Sequence, residues 1–320
     1  MKLLRTLAKT GVSLALIWIV LRAFDVQGVF QHLLRIDALT MTVAVLCALG
    51  VAPLHTLRWM IAVEASGNRL AFGTALRIVL IGHFFNQTLP SAVGGDAVRI
   101  WCAYRAGLGA GNAARTVIVD RAISLVGLLL LAAAGLPWLF DLVIDPAARL
   151  AIVAVIAAGM CGFFLFVALP QLPPFLAKWR ILHALAELAA LARRLTLAPR
   201  HAAPILALTI AGFLVFVFIV YWLAAALHPG VRFAQCLLLV PPVLLVSVMP
   251  VSIAGWGVRE GAMVVALGFI DVPPGAAFAV SILFGLAIAA ASLPGAVLWL
   301  TGGHSAKNLE EAAELADRRS

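Results

Sequence analysis

The sequence predicts an all-α, polytopic membrane protein. Of its 320 residues, 64% are hydrophobic and only 12% are charged, whereas soluble domains are closer to half apolar and a quarter charged. The mean hydropathy is +1.09, and several apolar runs reach the roughly 20 residues that a helix needs to cross a hydrocarbon core of about 30 Å. These observations exclude a soluble globular domain.

Six apolar runs have the length and composition of full transmembrane helices. They lie at about 8–24, 40–63, 113–136, 149–170, 203–227 and 275–300. Lys2, Arg5 and Lys9 precede the first run as in a signal peptide, but no small-residue cleavage site follows it. We therefore interpret the first run as a span, residues 1–303 as a single transmembrane domain, and residues 304–320 as a cytoplasmic tail.

Two further apolar stretches are interrupted and do not fit a single straight helix. The stretch at about 74–107 contains Pro90 and then two adjacent glycines, and the stretch at about 233–269 contains three prolines followed by Gly255 and Gly257. A helix interior loses about 3 kcal/mol at proline and about 1 kcal/mol at glycine. We predict two re-entrant or broken helix hairpins, because backbone freed at membrane depth must face protein or a wet cavity.

The distribution of basic residues predicts the orientation. With the N-terminus inside and both hairpins re-entrant, 16 of the 23 Lys and Arg fall in the inner segments and four in the outer segments. The inner segments are 1–10, 64–77, 97–115, 172–202 and 304–320. The positive-inside rule then places both termini in the cytoplasm. The net charge of +9 fits loops that face anionic lipid, so no nucleic-acid partner is expected. Residues of about 174–200 mix basic with apolar residues and predict an amphipathic helix on the inner surface.

The two hairpins share one motif. LPSAVGGDAVR begins at Leu89 and MPVSIAGWGVR begins at Met249, and in both the proline precedes a glycine by five positions, a valine by eight and an arginine by nine. In the predicted orientation the first hairpin enters from the inside and the second from the outside. Such an inverted repeat is common in secondary transporters, whose sites lie where discontinuous helices meet.

The motif residues are candidate ligands for an anionic headgroup. The helices after the two breaks are expected to begin near Asp96 and Trp256, and their N-termini would offer free N–H groups and a positive dipole end. An arginine about one turn further along each helix can bind phosphate with two hydrogen bonds. The candidate headgroup-binding residues are Asn86, Gly94, Gly95, Asp96, Arg99, Asp120, Arg121, Gly255, Gly257, Arg259 and Glu260.

Structural roles are the alternative for several of these residues. Asp96 can be the N-cap of a helix over 97–107, and the glycines can serve packing alone. Asp120 and Arg121 lie inside a predicted span, where charges are costly, and they can form an ion pair with Arg99 or Asp96 that only fixes helix packing.

Nothing in the sequence predicts catalysis, a metal or a cofactor. The four cysteines have no paired spacing and fit small buried residues. No nucleophile and base are recognisable as a pair. His55 and His83 are interpreted as packing residues, with a proton relay as the alternative for His83. We therefore expect a protein that is not an enzyme and that holds no cofactor.

Three motifs in order resemble one known family. They are N-x-x-L-P-S-x-x-G-G-D-x-x-R from Asn86, the pair Asp120-Arg121, and P-x-S-I-x-G-x-G-x-R-E from Pro250. Over residues of about 5–300 the chain resembles the lysylphosphatidylglycerol synthase transmembrane-region family, which includes the flippase-like half of multiple-peptide-resistance factors and stand-alone membrane proteins. The resemblance implies a multi-pass protein of the bacterial inner membrane that moves, or helps to handle, a lipid with a bulky polar headgroup. Our leading interpretation is a flippase or scramblase for a phospholipid or another lipid with a polar headgroup.

The resemblance leaves other functions open. Only 17 residues follow Gly303, so no synthase domain and no lipid aminoacylation by that route are expected. The alternatives to transport are a membrane-embedded enzyme, with Asp96, Asp120 or Glu260 as acid or base, and an accessory scaffold. Either would act in a glycolipid, hopanoid or polyprenyl pathway. The expected partner is a membrane lipid, and a lipid-modifying enzyme is a further candidate.

Overall fold

A computed structural model of the protein describes residues 33, 35–89, 94–169, 180–248 and 257–302. Within these ranges the chain forms ten α-helices and no strand, which confirms the all-α class. In chain order the helices are α1 (Ala38–Ala65), α2 (Phe72–Thr88), α3 (Gly94–Ala103), α4 (Ala110–Leu142), α5 (Pro146–Ala168), α6 (Arg180–Leu197), α7 (Pro199–Leu227), α8 (Phe233–Val248), α9 (Val258–Gly268) and α10 (Pro274–Thr301). A π-helical turn, Tyr104–Leu108, follows α3.

Five of the described helices are long and apolar enough to cross a membrane, namely α1, α4, α5, α7 and α10. Even the shortest, the 23-residue α5, is about 35 Å long at 1.5 Å per residue, which exceeds a hydrocarbon core of about 30 Å. These helices coincide with five of the six predicted spans. The remaining predicted span, 8–24, lies outside the described residues. The protein is a multi-pass membrane protein.

Both interrupted stretches form a pair of helices. The first gives α2 and α3, which pack antiparallel: Leu89 lies against Gly94, Asn86 against Gly95, and Gly82 against Arg99. The second gives α8, which continues through Pro241 and Pro242, and α9. The breaks themselves, residues 90–93 and 249–256, lie outside the described residues. We refer to α2–α3 as the first hairpin and to α8–α9 as the second.

Two clusters of buried apolar side chains mark the two ends of the bundle. One cluster combines the N-terminal parts of α1 and α10 with the C-terminal ends of α4 and α7, and it includes α8 and α9. The other combines the C-terminal parts of α1 and α10 with the N-terminal parts of α4 and α7, and it includes α2 and α3. The two hairpins therefore belong to opposite ends of the bundle. Their re-entrant insertion and inverted symmetry stay predictions, because both refer to a membrane.

The end that carries the first hairpin is the basic one. Helix α6 packs there, where its Arg194 donates a hydrogen bond to the carbonyl oxygen of Ala65 at 3.1 Å and Glu187 pairs with Arg115 at 3.4 Å. Along the described side chains of α6, buried positions such as Ala189, Ala192 and Leu195 alternate with exposed ones at helical spacing. Helix α6 lies within the stretch 174–200 for which a surface helix is predicted. Its location at the membrane surface and the cytoplasmic side of the loops at this end stay predictions.

Helix α10 holds the two halves together, and at Gly295 it touches α2. A Cβ atom at Gly295 would overlap the carbonyl oxygen of Leu80, which belongs to the α2 backbone and has little freedom to move. Close by, Arg77 Nη2 donates to the carbonyl oxygen of Leu298 at 3.2 Å. The missing side chain therefore sets the distance between the two helices.

Replacing Gly295 with alanine is expected to destabilise the protein by about 1–3 kcal/mol, the usual cost of overpacking. Gly50 is the matched control, because it also lies within a span but no atom lies within 4 Å of its ideal Cβ. Gly50→Ala should be neutral or stabilising, since alanine is the better helix former. The measurement is the thermal midpoint in detergent by fluorescence-detected gel filtration. Equal midpoints for both variants would contradict the tight crossing.

Single cysteines introduced into a cysteine-free chain should show which side of the membrane each end of the bundle faces. Leu197 and Ile144 are 62% and 80% exposed and lie at the basic and the opposite end, respectively. We expect a membrane-impermeant maleimide to label Ile144→Cys in intact cells and Leu197→Cys only after permeabilisation, because the basic end is predicted to face the cytoplasm. The reverse labelling pattern would overturn the predicted orientation.

Candidate functional site

Five charged side chains from α1, α3 and α4 form a buried network, here called the charge cluster: Arg58, Asp96, Arg99, Asp120 and Arg121. The Asp120 carboxylate accepts from Arg58 Nε at 2.8 Å through one oxygen and from both terminal nitrogens of Arg99 at 3.2 Å through the other. The Asp96 carboxylate accepts from Arg121 Nε at 2.6 Å. The cluster thus joins the first hairpin to two spans.

The cluster is buried on one side and open on the other. The side chains of Asp120, Arg58 and Arg99 are only 2%, 5% and 7% exposed, whereas that of Arg121 is 46% exposed. Three arginines and two aspartates leave one positive charge in excess. An uncompensated charge at membrane depth is costly, so the cluster favours the approach of an anion from the side of Arg121.

Arg99 owes its position to Gly82 on α2. A Cβ at Gly82 would overlap the Cγ of Arg99, and a Cβ at Gly95 would overlap the carbonyl oxygen of Gly82. The guanidinium of Arg99 lies 4.8 Å from the centroid of the Trp59 ring, a favourable cation–π distance. Close approach of the hairpin helices is therefore what allows Arg99 to reach α1 and α4.

Several buried polar atoms at the cluster have no hydrogen-bond partner among the described residues. Three are donors, on Arg58 (Nη1), Trp59 (Nε1) and Arg99 (Nε), and two are acceptors, on Asn86 (Oδ1) and Asp96 (Oδ1). Unsatisfied buried polar atoms each cost about 1–3 kcal/mol. Their concentration around one group of side chains indicates a site that a polar ligand can complete.

The described residues of the second hairpin carry a smaller cluster in which one positive and one negative charge balance. Glu260 Oε1 accepts from Arg259 at 2.6 Å and from the hydroxyl of Ser281 at 3.2 Å, while its other oxygen accepts from the N–H of Gly257. Gly257 has φ = 89° and ends the turn before α9, a conformation that favours glycine. The guanidinium of Arg259 lies 5.7 Å from the Phe284 ring centroid.

The equal spacings of the two motifs do not give equal positions in the helices. Arg99 is the sixth residue of the described α3, but Arg259 is only the second residue of α9, because that helix begins at Val258. Asp96 is not the N-cap of a helix over 97–107: the helix already includes Gly94, and Asp96 lies in its first turn and pairs with Arg121. A carboxylate there still interacts favourably with the helix dipole.

The structure places the predicted site residues in two groups. The first hairpin contributes Asn86, Gly94, Gly95, Asp96 and Arg99, which lie together, and Asp120 and Arg121 of α4 join them. Gly257, Arg259 and Glu260 form the second group. Gly255 lies outside the described residues. The ion pairs of Asp120 and Arg121 with hairpin residues agree with the packing alternative for these two residues, and they are also part of the candidate site.

A row of aromatic rings separates the two clusters. From Phe284, beside Arg259, the ring centroids are 5.9 Å to Phe216, a further 6.5 Å to His55 and 5.3 Å to His83. In the described contacts, Arg99 and Arg259 therefore have different partners, which lie toward opposite ends of the bundle.

Sequence reasoning missed Arg58, Trp59 and the pairing of the two histidines. Arg58 lies inside a predicted span, where an arginine without a partner is costly, and that signal could have marked it as a candidate for a buried ion pair. Among the described residues, no three His, Cys, Asp or Glu side chains are grouped so that they could hold a metal ion.

The fold and the site define a polytopic helical membrane protein with an arginine-rich cluster at the tip of a helix hairpin. The model of one family, the lysylphosphatidylglycerol synthase TM region, matches residues 6–295. The chain belongs to this family, which confirms the resemblance and indicates a membrane domain associated with lipid handling. A comparison with curated proteins finds no match.

Asp120→Asn is expected to lower the stability by about 3–5 kcal/mol, because it leaves Arg58 and Arg99 buried without their counter-charge. Arg121→Gln is the matched control: it also removes one ion pair of the cluster, but Asp96 keeps Arg99 at 3.9 Å and the two buried arginines keep Asp120, so the loss of stability should be smaller than that of Asp120→Asn. Thermal unfolding in detergent measures both. Unchanged unfolding of the Asp120→Asn variant would show that the network does not hold the bundle together.

Proposed function

We propose that the protein is a lipid flippase or scramblase that binds an anionic headgroup at the charge cluster. The observation that carries the proposal is the excess positive charge combined with unpartnered buried donors. A phosphate supplies both the missing negative charge and several acceptor oxygens, and arginine is the side chain best suited to bind it.

The energetics favour binding at this place. At an effective dielectric constant of 20, a unit negative charge about 4 Å from the excess positive charge gains about 4 kcal/mol. The unpartnered acceptors on Asn86 and Asp96 add a preference for headgroups that also carry hydroxyl or ammonium donors. This combination fits a phospholipid headgroup better than a bare inorganic anion.

Arg121 is the proposed entry point. It is the twelfth residue of α4, about 17 Å along the helix at 1.5 Å per residue, and therefore lies well inside the span. Ile118 and Leu125, at three and four residues' distance, share its face and are 44% and 38% exposed. A lipid can keep its acyl chains against this apolar face while its headgroup contacts the arginine.

The second hairpin is proposed to contact the headgroup on the opposite side of the membrane. Its cluster lies at the other end of the bundle and is neutral, so it would hold an anion less strongly than the charge cluster. No covalent chemistry is needed, and we propose a non-catalytic transporter of the bacterial inner membrane, with both termini cytoplasmic. A membrane lipid is its proposed partner, and a lipid-modifying enzyme that supplies the lipid is a second.

The experiment is lipid movement in proteoliposomes that contain trace acyl-labelled fluorescent phosphatidylglycerol, read by the fraction accessible to an impermeant quencher. Arg121→Gln should reduce the rate at least tenfold while the protein remains folded, because it removes the exposed cation of the cluster. Arg105→Gln is the matched control: Arg105 is also exposed and close to the hairpin, but it contacts only the Trp101 ring in the described contacts. Equal rates for wild type and Arg121→Gln would refute the headgroup site.

Substitutions of Arg259 test the second contact. Lysine keeps the charge but not the planar fork that binds phosphate with two hydrogen bonds, so Arg259→Lys should retain part of the transport rate. Arg259→Gln should lose nearly all of it, with gel filtration confirming that the variant is folded. Full activity of a folded Arg259→Gln variant would limit the transport site to the first hairpin.

A further inference from the structure

His55 of α1 and His83 of α2 form a hydrogen-bonded pair. Their Nδ1 and Nε2 atoms lie 3.2 Å apart, and the rings meet edge to face with centroids 5.3 Å apart. Both side chains are half-buried. His55 faces the interior of the bundle, because it lies about 200° around the helix from Leu57, which is 42% exposed.

A pair of this kind can carry a proton. One ring donates its N–H to the other, so in either tautomer one of the two outer nitrogens, Nε2 of His55 or Nδ1 of His83, has no proton. That nitrogen can accept a proton from water. Transfer of the bridging proton then allows the outer nitrogen of the other ring to release one, so that a single proton passes through the pair and no bond other than N–H changes.

The pair lies next to the charge cluster and on the way to the second hairpin. Its electrostatic neighbours are Arg58 of α1, Arg99 of α3, and Asp120 and Arg121 of α4. On the other side, α7 contributes Phe216 and Gly212, and α10 contributes Phe284, beyond which lie Arg259 and Glu260 of α9. An imidazolium is therefore opposed mainly by the arginines, and a bound anion would offset this repulsion.

We propose that the His55–His83 pair takes up one proton when an anionic headgroup binds at the charge cluster, so that lipid movement is coupled to a proton. This inference rests on the proposed function. The coupling is reciprocal: the anion stabilises the imidazolium, and the proton strengthens anion binding. The pH gradient across the membrane then becomes a source of direction for the transporter.

The test measures binding of glycerophosphoglycerol to the purified full chain by calorimetry between pH 5 and 8, the range in which histidine ordinarily titrates. This phosphodiester keeps one negative charge throughout the range. Proton uptake linked to the anion predicts that the affinity rises as the pH falls, with a slope that approaches tenfold per unit where the pH lies between the pKa values of the pair without and with the anion. Binding heats in buffers of different ionisation enthalpy should report the same proton.

Variants of the two histidines test whether the pair is responsible for the proton uptake. His55→Gln, His83→Gln and the double variant should each bind the probe with an affinity that changes less than twofold across the range, because the added proton is shared between the two rings and each substitution removes one of them. His201→Gln is the matched control, a buried histidine of α7 whose partner is Arg200, and it should keep the wild-type slope. Gel filtration and retained probe binding show that the variants are folded.

The outcomes separate the two proposals. If wild type binds no probe, or if Arg99→Gln binds as wild type does, the headgroup site itself is wrong. If wild type binds in an Arg99-dependent manner but both histidine variants keep the wild-type slope and proton uptake, the headgroup site stands and the proton relay is overturned. Loss of the slope in both single variants and in the double variant supports the relay.

Discussion

The carboxylate of Asp120 is the group on which the arrangement of the first half depends. One of its oxygens holds Arg58 and the other holds Arg99, so a single side chain ties two spans to the hairpin. In a membrane the alternative to this pairing is not solvation by water but an arginine exposed to hydrocarbon, which is far costlier. The pairing therefore positions the hairpin as well as stabilising it. Because Asp120 pairs with two arginines, the cluster keeps an excess positive charge, and the contacts that position the hairpin are also the basis of the proposed anion site.

The sequence predicted most of the helices but not which residues of different helices contact one another. Long apolar runs are decisive for spans, so five of the predicted spans coincide with described helices, and Pro90 with the adjacent glycines marked the place where α2 and α3 separate. Contacts between distant segments were not readable in the same way: Arg58 and Asp120 are 62 positions apart, and no local pattern links them. The equal spacing of the two motifs also misled, because the turn at Gly257 starts α9 later than the first hairpin starts α3.

Each end of the bundle carries one hairpin, but the two ends differ in charge. At one end a hairpin arginine is bound by an aspartate from a neighbouring span, and at the other end Arg259 is bound by Glu260 from its own helix. The first arrangement couples the hairpin to two spans and carries excess charge, whereas in the second the described charges of Arg259 and Glu260 balance and α10 contributes the Ser281 hydroxyl. The predicted inverted repeat therefore does not imply two equivalent charge clusters, and the row of aromatic rings lies between clusters with different partners.

Gly82 contributes to the cluster by having no side chain. The Cγ and Cδ atoms of Arg99 occupy the space that a Cβ at residue 82 would fill. The side-chain volumes at the two positions are therefore linked. A relative with alanine or a larger residue at position 82 could accommodate only a shorter side chain at position 99, and would then lack the guanidinium that Asp120 binds. We therefore expect these two positions to vary together in homologous chains, and a larger residue at position 82 to accompany the loss of the proposed arginine-based anion site.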